Sequence, residues 1–152
     1  MGLETTLVAV GDKDTDRLDA IAAAAIDIGK PAGASVELAH VFTEEEYEQA
    51  KDNLDFDDQS EVTPAAVAKR YATIRELGDR LEEAGVQFSW HGSLSNGTSE
   101  GERIVELAET VDADLIIVGG RKRSPAGKAI FGSTAQEVML NSPCPVTFVR
   151  GD

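Results

Sequence analysis

Residues 113–134 read ADLIIVGGRKRSPAGKAIFGST. Leu115, Ile116, Ile117 and Val118 form an unbroken apolar run, the pattern of a strand buried on both faces at the centre of a parallel sheet. Gly119 and Gly120 end it. A basic loop follows, and Gly132-Ser133-Thr134 opens a short helix predicted over residues 133–140. Strand, glycine loop and helix start succeed one another as in the α/β folds whose ligands sit beyond the carboxyl ends of the strands. Arg121, Lys122, Arg123 and Lys128 crowd this loop, with no carboxylate among them.

Outward from this stretch, strand and helix patterns alternate. Residues 5–10 are short, apolar and partly β-branched, and end at Gly11. From Asp14 the period becomes helical, with Leu18, Ile21, Ala22, Ala25 and Ile28 on one face and Gly29 and Pro31 as the expected stop. Residues 35–42 form a second strand. Thr63-Pro64 reads as a helix cap followed by a first-turn proline, with Val67, Tyr71, Ile74, Leu77 and Leu81 inward and Gly85 as terminator. Residues 86–90 are a less apolar strand, expected near an edge. Ser99-Glu100-Gly101-Glu102 has the form of a capping box, and opens a helix with Ile104, Leu107, Ala108 and Val111 inward. Residues 145–149 close the chain as a fifth strand.

Strands joined through helices imply one domain over residues 1–152: a doubly wound α/β fold with a parallel sheet and helices on both faces. With the two most apolar strands central, the expected order is 3-2-1-4-5. The winding reverses between strands one and four, and ligands of open α/β sheets bind at such a reversal. The basic loop therefore falls where a ligand is expected.

The rest of the chain is acidic, with 28 Asp+Glu against 14 Lys+Arg and a formal charge of −14. That balance argues against nucleic acid, whose phosphates require a basic surface. It suits a salt-rich, halophilic cytoplasm, where self-repulsion is screened. Residues 44–61 carry much of the charge and are expected to form a solvated face or mobile connection. No apolar run approaches the length of a membrane span. The opening residues read as a strand rather than a signal peptide, so the cytoplasm is the expected location. Cys144, the single cysteine, reads as a small buried hydrophobe.

Glycines bring backbone N–H groups close to an anion, and a helix start adds a favourable dipole. Gly132, Ser133 and Thr134 supply both, with two hydroxyls, and the basic side chains suit a phosphate chain. Known phosphate and phospho-acceptor motifs fail here. A P-loop would need glycine at Lys122 and Ser or Thr at Ala129. A flavodoxin-type loop after strand one is excluded by the acidic run Asp12, Asp14 and Asp16. A receiver domain would need an aspartate ending strand three, where the chain has Trp90-His91-Gly92.

The loop resembles the signature of the universal stress protein family: Gly, two residues, Gly, nine residues, then Gly-Ser or Gly-Thr. Gly119 and Gly132-Ser133 match its ends. Residues 7–10, 39–41, 113–119 and 143–146 extend the resemblance over nearly the whole chain. It implies the 3-2-1-4-5 sheet of the adenine nucleotide alpha hydrolase-like fold, ATP in the crevice (with magnesium as its companion), a role in stress response, and a homodimer paired through Val146, Thr147, Phe148 and Val149. By position, Val41 would meet adenine through its backbone. Val118 and Gly119 would lie by the ribose, with Val10, Gly11 and Asp12 also at the nucleotide. Arg121, Lys122, Gly132, Ser133 and Thr134 would face phosphates. Two departures stand out: Lys122 replaces the middle glycine, and Gly11-Asp12-Lys13 replaces the Asp-Gly-Ser usual in nucleotide binders.

No catalytic constellation is visible. His40 and His91 are expected at the ends of two strands, without ligand spacing, and Ser133 has no evident base. Three readings remain open: a nucleotide-binding regulatory module, a slow ATPase, and a dimeric interaction protein with an empty crevice.

Overall fold

The structure is a computed structural model that describes residues 2–53, 62–121 and 132–151. Its five strands are β1 (Thr5–Ala9), β2 (Ser35–Phe42), β3 (Phe88–Leu94), β4 (Leu115–Arg121) and β5 (Val146–Gly151). They form one sheet in the order β3-β2-β1-β4-β5. Every pairing is parallel. The expected doubly wound α/β topology is therefore present.

Alternation along the strands builds the two cores. Val8, Leu38 and Ile117 face Leu18 and Ile21 of α1 (Leu18–Ala32), and Ile74, Leu77 and Leu81 of α4 (Ala72–Glu83). Leu7, Ala39, Ile116 and Val118 face Ile104 and Ala108 of α5 (Glu100–Thr110), and Ala135 and Val138 of α6 (Ser133–Asn141). Leu7, Val8, Ile116 and Ile117 are wholly buried, which is why β1 and β4 lie in the middle. No residue of β3 is fully buried, as befits an edge.

Four local expectations are corrected. The acidic run is more than a solvated face or connection: its first part folds as α2 (Glu44–Asn53), burying Tyr47 and Ala50 against Phe42, Val67 and Ala68, while residues 54–61 lie outside the described residues. Thr43 Oγ1 caps it by accepting from the Glu46 N–H at 3.1 Å, and glutamates in the first turn suit the helix dipole. Pro31 does not stop α1, which runs to Ala32 and ends at Gly33. A proline in the last turn forfeits only one helical bond, and Ile28, expected inward, is exposed. The helix expected from Pro64 to Gly85 is divided into α3 (Pro64–Arg70) and α4 by Tyr71, whose backbone is extended (φ −67°, ψ 135°). Finally, β3 runs on to Leu94 instead of stopping at Trp90, so His40 and His91 lie within strands rather than at their ends.

Candidate functional site

The β1-to-β2 connection crosses one face of the sheet and the β4-to-β5 connection crosses the other. A crevice therefore opens above the carboxyl ends of β1 and β4. Val10, Gly11, Val41, Val118 and Gly119 lie at this end of the sheet, and α6 begins here with Gly132, Ser133 and Thr134. Val10, Val41 and Val118 bury their side chains, so they offer the crevice backbone alone. Lys122 lies outside the described residues, as do the side chains of Asp12 and Arg121.

One wall is the 3-10 turn Asp12–Arg17, which follows β1. Asp14 Oδ2 accepts the Gly11 N–H at 2.9 Å, and Oδ1 accepts from Arg17 Nε at 2.6 Å. Both side chains are nearly buried, at 11% and 13% exposure. They rest directly on Gly119, where an added Cβ would lie 2.8 Å from Arg17 Nε and 2.9 Å from Asp14 Oδ1. Gly119 and Gly120 do not end the strand as expected but stay paired within β4. Gly119, the first glycine of the signature, makes room there for an ion pair of the chain itself.

The back of the crevice is set by His40. Its Nδ1–H donates to the Val10 carbonyl at 2.7 Å. The ring stacks on Tyr71 with centroids 4.5 Å apart and meets Phe42 edge-on. Its Nε2 stands 3.6 Å from Glu46 Oε2, with no hydrogen-bond partner among the described residues. The Val10 N–H donates to the Ala39 carbonyl, and register between β1 and β2 ends at Ala9–Ala39. Val41 therefore extends beyond the end of β1. His91 is engaged on the neighbouring strand, with Nε2 2.9 Å from Glu37 Oε2.

The opposite wall is made by the starts of α5 and α6. Ser99 Oγ accepts the Glu102 N–H at 3.1 Å and lies 2.6 Å from Glu137 Oε1 on α6. Gly132 (φ 83°, ψ 151°) holds a conformation that side chains disfavour, and its carbonyl accepts the first bond of α6, from the Gln136 N–H. Thr134 Oγ1 donates to Glu100 Oε2 at 3.5 Å. The Glu100 pKa is raised from the ordinary carboxylate range, first by desolvation; Glu46 and Asp14 add to the rise, while His40 and Lys13 oppose it. The residue remains exposed at the crevice.

A family model, "Universal stress protein family", matches residues 3–150. The chain belongs to the universal stress protein family. A universal stress protein of Mycolicibacterium smegmatis is 34% identical over 89 residues, which cover 57% of this chain and 67% of that protein. A universal stress protein solved in complex with cAMP superposes with a TM-score of 0.69 at 23% identity, covering the whole of both chains. The universal stress protein from Archaeoglobus fulgidus in complex with dAMP gives 0.69 at 22%, covering 99% of this chain and all of that one.

Sequence reading of this family member missed Asp14, Arg17, Glu46 and Glu100 as features of the crevice. Asp14 and Arg17 carried one signal, opposite charges three residues apart at a helix start. Glu100 carried none, because a glutamate beside a helix cap is ordinary.

Proposed function

We propose that this universal stress protein is a cytoplasmic, nucleotide-binding regulatory module of the stress response, taking an adenine nucleotide such as ATP, with magnesium, in the crevice above β1 and β4. The observation that carries the reading is the opening of α6 at a positive-φ glycine, Gly132, with Ser133 and Thr134 behind it, at the sheet's point of reversal. Backbone N–H groups of such a helix start attract a phosphate. In this reading Val41 offers its backbone to adenine, and Val10, Gly11, Asp12, Val118 and Gly119 surround the ribose. Arg121, Lys122, Gly132, Ser133 and Thr134 face the phosphates. The cAMP and dAMP held by the two superposed relatives support an adenine ligand.

Calorimetric titration with ATP, ADP and AMP, with and without magnesium, tests the proposal. Binding that disappears in Gly132→Val supports it, whereas a wild-type protein that takes none of the three overturns it. Lys122→Ala separates attraction from obstruction: weaker, less salt-dependent binding assigns the lysine to phosphate, and tighter binding assigns it to steric hindrance. Hydrolysis is expected to be negligible, because no general base stands beside Ser133 among the described residues, and His40, whose Nε2 carries the free lone pair, is buried. Multiple turnovers per minute in rigorously purified protein would favour a slow ATPase.

The same reading includes a homodimer through β5, whose outer edge has no strand beside it among the described residues. Unpaired edges invite a second strand. Val146 and Phe148 lean on the core under α5 and α6, and Val149 on the other core, yet all remain only half-buried. Leu140 of α6 is 75% exposed. A second copy pairing antiparallel along Val146, Thr147, Phe148 and Val149 would satisfy the backbone and cover such apolar surface. Thr147→Pro is expected to give monomer by light scattering, and a wild-type monomer at high protein concentration would remove this part of the proposal.

A further inference from the structure

We propose that Glu100 sets the charge of the ligand the crevice accepts: its carboxylate occupies the helix-start position open to a phosphate, and so biases the site toward weakly charged adenine ligands over free triphosphates. The inference rests on the nucleotide reading above and extends it to specificity.

Glu100 is the first residue of α5, and its Oε2 accepts from Thr134 Oγ1, on the second residue of α6. The carboxylate therefore sits at the positive ends of two helices, the setting that would otherwise draw a phosphate. Thr134 has one hydroxyl proton, which goes to Glu100 or to a ligand but not to both.

The two helix starts are latched together, which limits how far Glu100 can withdraw. Ser99 Oγ lies 2.6 Å from Glu137 Oε1, and a Cβ on Gly101 would fall 2.5 Å from that same oxygen. Around the carboxylate stand Glu46 of α2 and Asp14 of the 3-10 turn, of like charge, against His40 of β2 and Lys13. Asp14 already spends its oxygens on Gly11 and Arg17. Among the described residues Glu100 is held by one long bond and stays exposed, so its carboxylate is the one available to an incoming phosphate. The repulsion scales with the ligand's own charge. Magnesium on a triphosphate reduces it.

The test is calorimetry on wild type and Glu100→Gln with adenosine, AMP, ATP without metal, and ATP with magnesium, at one pH and ionic strength. Glutamine keeps the shape and an acceptor for Thr134 while removing the charge. ATP without metal is expected to gain about tenfold in affinity, AMP about threefold, and adenosine nothing. The gain for magnesium-bound ATP falls below that for free ATP. Equal gains for all ligands, or none, overturn the charge-selecting role while leaving nucleotide binding in place. Failure of both proteins to bind any ligand overturns the nucleotide reading and this inference with it. Equal melting temperatures for the two proteins exclude a folding artefact.

Discussion

The two walls of the crevice both present carboxylates, and they hold them in opposite ways. On the β1 side, Asp14 is nearly buried and bonded at 2.9 Å to Gly11 and at 2.6 Å to Arg17. On the α5–α6 side, Glu100 is exposed and bonded at 3.5 Å to one hydroxyl. The first carboxylate was committed when the chain folded, because a buried charge demands its partners. The second retains freedom to exchange partners, because water remains within reach. One wall is scaffold and the other is adjustable.

Removing the committed carboxylate should produce the largest effect. Asp14→Ala leaves the Arg17 guanidinium without its carboxylate beside Gly119 and frees the Gly11 N–H. A loss of about 3 kcal/mol is expected, since breaking one partner of a mostly buried pair costs far more than the pair contributes. Urea unfolding measures it. Glu100→Ala in the same assay should shift stability by no more than about 0.5 kcal/mol. Comparable losses in the two variants would erase the distinction between the walls.

Gly119→Ala probes the same wall from beneath. Its new methyl would meet Arg17 Nε at 2.8 Å, so either the ion pair or β4 must give way. A cost of about 2 kcal/mol is expected from such overpacking. The double variant Arg17→Ala/Gly119→Ala should lose less than the sum of the single changes, because the obstructed side chain has been removed. Strict additivity would mean that glycine serves the backbone of β4 rather than the ion pair.

These residues also show what the sequence made legible. The sheet order followed from local patterns: the unbroken apolar run Leu115 to Val118 pointed to the centre, and the mixed polarity of residues 86–90 to an edge. Gly119 and Gly132-Ser133 marked the crevice through their spacing. Partners brought together by the fold were less visible. Glu100 and Thr134 are 34 positions apart, and only the packing of α5 on α6 joins them. The helix α2 was hidden for another reason. Tyr47 and Ala50, three residues apart on one helical face, are its anchors, and the charges around them masked so short a stripe.

On the adjustable wall, Ser99→Ala removes the cap on the Glu102 N–H and the contact with Glu137. About 1 kcal/mol of stability should be lost, the usual worth of a helix cap. If Ser99 also keeps the two helix starts together, the variant frees Glu100 to move away from Thr134. Its affinity for ATP would then rise toward that of Glu100→Gln. A stability loss with unchanged selectivity would confine Ser99 to capping.

The smallest expected effect is the pH dependence of stability that Glu100 contributes, and its sign tests what holds the carboxylate. Its folded-state pKa lies above the ordinary carboxylate range, chiefly through desolvation. The folded protein therefore binds a proton at Glu100 more readily than the unfolded chain does. The resulting stabilisation is fully present below the ordinary pKa and is lost as pH rises through the raised one. Because the side chain is exposed, solvent screening keeps the difference between wild type and Glu100→Gln to under about 0.5 kcal/mol. Chemical unfolding at closely spaced pH values from acid to neutral would resolve it, with wild type losing stability relative to the variant as pH increases. The reverse slope would mean that the two helix starts hold the charged form more strongly than desolvation opposes it. Glu100 would then be a committed carboxylate like Asp14, and the walls would differ only in exposure.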